Sequence, residues 1–229
     1  MNLSANLATF WRTLEGELVY QYHWLTMKTA RWQVEGAANL QAARENGRPI
    51  LFALWHGQIA LLFMYGHRFF EPAKFTLVAV GDERHDILGR LGSRIGVKTH
   101  AVDMQGNPVA AGRATLRVIK AMKEGHDSLI APDGPDGPAY QPKPGVIYLA
   151  QKAEAIILPL GIWTRQAYQR QRWDHYLVPY PFAQCHMVFG TPILAHKDDD
   201  SEALMTQVTA VLHAARTRAQ QLAGITPWR

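Results

Sequence analysis

The sequence predicts an α/β fold, with strands and helices alternating along the chain. Three observations carry that prediction. Short apolar runs at 49–55 (PILFALW), 75–80 (FTLVAV), 127–131 (DSLIA) and 155–162 (AIILPLGI) have strand length and no helical period. Between them lie longer stretches, at 58–70, 83–95, 109–124 and 145–153, whose length and punctuation suit helices. The stretch 130–145 (IAPDGPDGPAYQPKPG) is neither helix nor central strand, because Pro lacks the N–H and Gly costs order. It reads as a stiff loop hung on a strand end, where binding and catalytic groups collect. Alternation of this kind argues for an α/β sandwich.

The chain of 229 residues suits one domain, 1–229, with room for a sizeable core. Hydrophobic residues make up 48%, which argues against disorder. A single cysteine, Cys185, excludes an internal disulfide and a cysteine-based zinc cluster. No run of eighteen apolar residues exists, so no bilayer-spanning helix is expected. The first residues, MNLSANLATFWRTLEG, lack a basic n-region and a long apolar core, so no signal peptide is expected. The net charge is +5 and the pI near 9.4. Such a balance fits anionic lipid, an acidic substrate, or solubility alone. The basic residues are dispersed and no nucleic-acid motif occurs, so no nucleic-acid partner is expected.

Each element has its own signal. Leu3, Leu7, Phe10, Trp11, Leu14, Leu18, Tyr22 and Leu25 recur at helical spacing, so 1–30 reads as an amphipathic helical segment, in one piece or two. It packs on the core or lies in the plane of a membrane, with Trp11, Trp24 and Trp32 near the headgroups. The helix over 83–95 stops at Gly96, and that over 109–124 stops at Gly125. A short strand is expected over 97–102. Pro144 sits near the start of the helix over 145–153. Pro159 marks the strand at 155–162 as an edge or a bulge. Residues 187–190 read as another strand. A final amphipathic helix spans 201–222, with Asp198, Asp199 and Asp200 as its dipole and capping acids.

Several signatures are missing. There is no G-x-x-x-x-G-K-[ST], no G-x-G-x-x-G, no H-E-x-x-H and no G-x-S-x-G. The ten histidines lack ligand spacing, so no metal site is expected. What stands out is Trp55-His56-Gly57, where a buried strand ends in a histidine. A histidine so placed suits a general base, and Gly57 lets a substrate approach the backbone closely. Asp133, in Pro-Asp-Gly-Pro, is a turn acid or a site acid. Arg84 and Asp86 open a helix after a strand and are either a charged first turn or a polar cluster at the same sheet edge.

Taken together, these residues resemble the lysophospholipid acyltransferase superfamily, and more closely its bacterial branch known as a domain of unknown function. The matching pieces run in order: RWQVEGAANL at 31–40, PILFALWHGQ at 49–58, HDILGRLGSRIGVKT at 85–99 and AMKEGHDSLIAPDGPDGP at 121–138. KPGVIYLAQKAEAIILPLGI at 143–162, WDHYLVPYPF at 173–182 and VFGTPI at 188–193 complete the set. They divide the chain into an N-terminal segment 1–30, a family-like core 31–195 and a C-terminal helix in 196–229. The resemblance implies a mixed, largely parallel sheet flanked by helices, as in glycerolipid acyltransferases. It also implies transfer of an acyl chain from acyl-CoA or acyl carrier protein to a lysophospholipid or related lipid acceptor. The expected setting is peripheral, on the inner face of the cytoplasmic membrane, with no cofactor besides the thioester co-substrate.

The superfamily pattern is His-x4-Asp, and His56 matches its histidine. Leu61 stands at the aspartate position, so another acid must orient His56; Asp86 is the first candidate and Asp133 the second. Asp136 replaces the arginine of Pro-Asp-Gly-Pro-Arg-Gly-Pro, so either the substrate is less phosphorylated or Arg84, Arg113 and Lys143 take over the handling of an anion. Backbone N–H groups near Gly57 or Gly134 are the expected oxyanion donors. Two other readings stay open on sequence: a lipid-binding scaffold that has lost catalysis, supported by Leu61 and Asp136, and a thioesterase-like hydrolase.

Overall fold

In the computed structural model the described residues are 3–65, 68, 71–80, 96, 98–102 and 108–225. The predicted helix over 83–95 lies outside them, with Arg84 and Asp86. Ten strands occur among the described residues: β1 (Arg31–Glu35), β2 (Ile50–Ala53), β3 (Phe75–Val80), β4 (Lys98–Val102), β5 (Asp127–Ile130), β6 (Ile156–Thr164), β7 (Ala167–Gln169), β8 (Leu177–Pro179), β9 (Gln184–Phe189) and β10 (Ile193–Leu194). The helices are α1 (Leu3–Thr29), α2 (Ala37–Glu45), α3 (Ile59–Tyr65), α4 (Pro108–Lys123), α5 (Gly145–Ala153) and α6 (Ser201–Leu222).

The main sheet runs β1-β9-β6-β2-β5-β3-β4, with β10 also on β6. Its described pairings are parallel except where β9 and β10 meet β6. This is the mixed, largely parallel α/β sheet that the sequence implies. Strands β2 and β6 are buried along their whole length, which is why they read as continuous apolar runs and not as alternating ones. Side chains alternate across β2. Ile50, Phe52 and Leu54 pack with Leu61 and Leu62 of α3 on one face. Leu51, Ala53 and Trp55 pack with α4, α5 and the first half of α6 on the other.

The expectation for Pro159 is corrected. Strand β6 lies at the centre of the sheet, paired with β2 along one side. On its other side β10 pairs with Ile156 and Ile157, and β9 pairs from Leu160 onward. Pro159 sits at the switch between the two partners, where a missing N–H costs no ladder bond, and its carbonyl accepts from the Gly190 N–H at 2.8 Å.

Helix α1 is one continuous helix, and Met27 packs against the core. Trp11 and Leu18 are 59% and 62% exposed, and Leu14, Trp24 and Leu25 are exposed as well. Trp32 is different: it lies in β1, with its ring 4.5 Å from that of Tyr65, so it belongs to the core and not to an apolar outer stripe. Helix α6 begins as its acids predict, with the Asp200 carboxylate accepting from the Glu202 N–H at 2.9 Å. No described helix is long and apolar enough to cross a membrane.

Candidate active site

The site forms where β2 and β5, neighbours in the sheet, end side by side. Leu54 N–H still donates to the Ile130 carbonyl at 3.2 Å, and then the two chains part. The first turns into a 3₁₀ turn, His56–Gln58, which leads into α3. Gln58 is buried, and its side-chain oxygen accepts from the Ile162 N–H at 3.2 Å, fastening the turn to β6. The second becomes the Pro- and Gly-dense loop. That loop is held by its own backbone: Gly134 N–H donates to Ala131 at 3.1 Å, Gly137 N–H to Asp133 at 3.1 Å and Lys143 N–H to Pro132 at 2.8 Å.

Asp133 is buried, and its carboxylate joins the two segments. One oxygen accepts from the His56 backbone N–H at 2.9 Å, the other from the Tyr140 N–H at 3.1 Å. Asp133 therefore holds the backbone of His56 and not its ring. As the acid that orients the imidazole it is corrected, because both of its oxygens are engaged by backbone donors.

Among the described residues the acid at the ring is Asp174. Its Oδ2 lies 2.9 Å from His56 Nδ1, and its side chain is fully buried. It comes from the connection between β7 and β8, a short antiparallel hairpin 118 residues further along the chain. A carboxylate only accepts, so in this pair the Nδ1–H of His56 donates to Asp174 and Nε2 is the ring nitrogen left facing away from it. The histidine side chain is 25% exposed, which keeps the ring reachable. Leu61, at the position where the superfamily has its aspartate, is fully buried in the apolar core. The other Asp174 oxygen is buried without a hydrogen bond, with Arg172 Nε 3.7 Å away.

Gly57 is also corrected. A Cβ there would lie 2.1 Å from the Asp174 carbonyl oxygen, so the close approach it permits is that of the hairpin backbone. At Gly134 a Cβ would lie 3.0 Å from His56 Cδ2, beside the Nε2 edge of the ring. Its N–H is spent on Ala131, so of the two suggested oxyanion donors Gly57 is left, at the start of a turn whose first amides lack acceptors within it. Lys143 is half-buried and contributes its backbone N–H to the loop; Arg113 and Asp136 are exposed on the surface. Aromatic rings wall the histidine: Trp173 lies 5.2 Å and Tyr176 6.2 Å from it, centroid to centroid. Gly137 makes room for Trp173, since a Cβ there would sit 2.6 Å from the indole.

Burial pushes the Cys185 thiol up to about 12, so it is inert at neutral pH. Among the described residues no group of three His, Cys, Asp or Glu side chains could hold a metal ion.

The site thus joins a histidine at one strand end of a mixed α/β sheet to a buried acid on the neighbouring hairpin. The crystal structure of the 1-acyl-sn-glycerophosphate (LPA) acyltransferase PlsC from Thermotoga maritima matches with a TM-score of 0.56 over 90% of this chain and 79% of that one, at 16% identity. The chain thus shares the fold of a lysophosphatidate acyltransferase. It is also 26% identical, over 154 residues, to an uncharacterized protein of Rickettsia prowazekii (strain Madrid E). The match spans 65% of each of the two chains. No family model matches the chain.

The sequence did contain the signal for Asp174. It is the acid of WDHYLVPYPF, one of the pieces that carry the family resemblance. What hid it was the separation along the chain, since only folding brings the hairpin to the His56 turn.

Proposed function

We propose that this protein is an acyltransferase that moves an acyl chain from a thioester donor to a lipid-like acceptor at a membrane surface. The observation that carries the reading is the His56 Nδ1–Asp174 contact at 2.9 Å, on a fold shared with a lysophosphatidate acyltransferase. His56 Nε2 removes the proton from the acceptor hydroxyl as its oxygen attacks the thioester carbonyl. The new C–O bond forms, the C–S bond breaks, and the imidazolium returns the proton to the departing sulfur. Buried Asp174 favours the imidazolium formed between those steps. The Gly57 N–H, at the start of the 3₁₀ turn, is the backbone donor for the oxyanion.

The donor is acyl-CoA or acyl carrier protein, and the acceptor a lysophospholipid or related lipid. The exposed apolar stripe of α1 supports attachment to the inner face of the cytoplasmic membrane. With Asp174 beside His56, Leu61 no longer argues for a scaffold that has lost catalysis. The test uses purified protein with labelled acyl-CoA and acyl carrier protein against a panel of lysolipids, with His56→Ala in parallel. Label entering a lipid product with wild type and not with the variant is the expected result. Released fatty acid without acylated lipid would point to hydrolysis. Lipid binding without any transfer would point to a scaffold.

A further inference from the structure

We infer that Tyr140 and Arg216 form a positioning unit for the His56–Asp174 pair, with Tyr140 in contact with all three segments that build the site. On the first segment, the Tyr140 ring stands edge-on to Trp55, the residue before His56, at 5.6 Å and 86°. On the second, its backbone N–H donates to Asp133, whose other oxygen holds the His56 N–H. On the third, its ring stacks at 17° and 6.4 Å on His175, the residue after Asp174. A shift of this one residue therefore moves the backbone of His56 and the acid on its ring together.

Arg216 fixes Tyr140 from the far side. Its guanidinium carbon lies 3.7 Å from the Tyr140 ring centroid and 5.6 Å from that of Trp163. Its Nε is buried with no hydrogen-bond partner, so ring contacts make up much of what holds that part of the side chain. Arg216 comes from α6, outside the segment that resembles the family. The helix reaches this depth because Gly161 of β6 has no side chain: a Cβ there would lie 2.0 Å from the Ala215 carbonyl oxygen. Tyr140 itself lies within electrostatic reach of the Arg216 guanidinium and of both buried carboxylates, Asp133 and Asp174.

The effect on turnover rests on the acyl-transfer reading; the effect on His56 does not. Two measurements keep them apart. The first is NMR of the His56 ring, through its 15N shifts and the solvent exchange of its Nδ1 proton. Tyr140→Phe, which keeps the ring and backbone but loses the hydroxyl's hydrogen bond to Arg216, should exchange that proton only slightly faster than wild type. Arg216→Gln and Tyr140→Leu should exchange that proton roughly 10-fold faster or more, with Arg216→Lys in between, because lysine keeps the charge but not the planar stack. The second is acyl-transfer kinetics, where Arg216→Gln should lower kcat by roughly 10–100-fold with a much smaller change in KM. A purely structural role would lower the melting temperature of Arg216→Gln and leave the His56 exchange rate unchanged, and that result overturns the inference. If Arg216→Gln does not fold, Arg216→Lys decides by the same exchange measurement. If the exchange pattern holds while wild type transfers no acyl chain, the acyl-transfer reading falls and the positioning unit stands.

Discussion

Two buried aspartates meet His56, and they do different work. Asp174 touches the ring; Asp133 touches the backbone. Their asparagine variants should separate the roles. In Asp174→Asn the shape is kept, but the amide no longer favours a proton on Nδ1 or an imidazolium. Acyl transfer should fall by roughly 10²–10⁴-fold while the urea midpoint moves little. Steady-state kinetics beside urea denaturation checks this. In Asp133→Asn one of two backbone donors loses its acceptor, because an amide offers a single oxygen. That change should cost about 1–3 kcal/mol of stability, the usual penalty for a buried donor left unsatisfied, and urea titration reads it directly. If Asp174→Asn were fully active, the assignment of the orienting acid would be lost.

The elements explain why so much of this was legible and why the acid was not. Strand β2 and the loop after β5 announce themselves locally, one by a run of apolar residues and the other by its prolines and glycines. The end of each is therefore readable, and so is His56. Asp174 has no such local mark, since it lies in a short hairpin between exposed and half-buried residues. Strand β1 and helix α2 were also unread as elements; β1 is partly exposed and α2 spans only nine residues with one buried side chain. The glycines carry the hairpin's position. Gly57→Ala places a methyl where the Asp174 carbonyl now lies, so the hairpin must retreat and Asp174 with it. Activity should drop by roughly 10²-fold, and a crystal structure of the variant should show the His56–Asp174 contact lengthened. Helix α1 poses a separable question. Its Trp11, Leu14, Leu18, Trp24 and Leu25 are exposed, whereas Met27 packs against the core. Deleting residues 1–25 should abolish co-flotation with anionic liposomes and leave the far-UV spectrum of the remainder folded; undiminished flotation would remove α1 from the membrane role.

At the scale of the whole molecule, acid sensitivity has a source in the histidines that burial holds below their ordinary value, among the described residues His23, His186 and His213. His186 is buried in β9 with an unpartnered Nδ1, and burial holds it below its ordinary value of 6.5. His213, beside Trp55, is lowered first by burial and then by the Arg216 guanidinium. In the unfolded chain both take up protons near 6.5, whereas in the folded protein they resist until lower pH. Below 6.5 the unfolded state therefore binds more protons, and stability falls as the pH falls until the folded-state values are passed. Each such proton contributes a slope of at most about 1.4 kcal/mol per pH unit. Glu35, which Arg218 holds below the ordinary 4.5, adds its loss only at more acid pH, so the two effects occupy separate windows. Urea midpoints should accordingly be level above pH 7 and decline as the pH falls below about 6.5. Replacing His186 by Leu and His213 by Gln should make that decline shallower without removing the loss that Glu35 adds below pH 4.5. A decline of unchanged steepness in the double variant would assign the acid sensitivity to other groups. Because His213 touches Trp55, its protonation also presses on the residue before His56, so loss of acyl transfer on acidification should precede global unfolding.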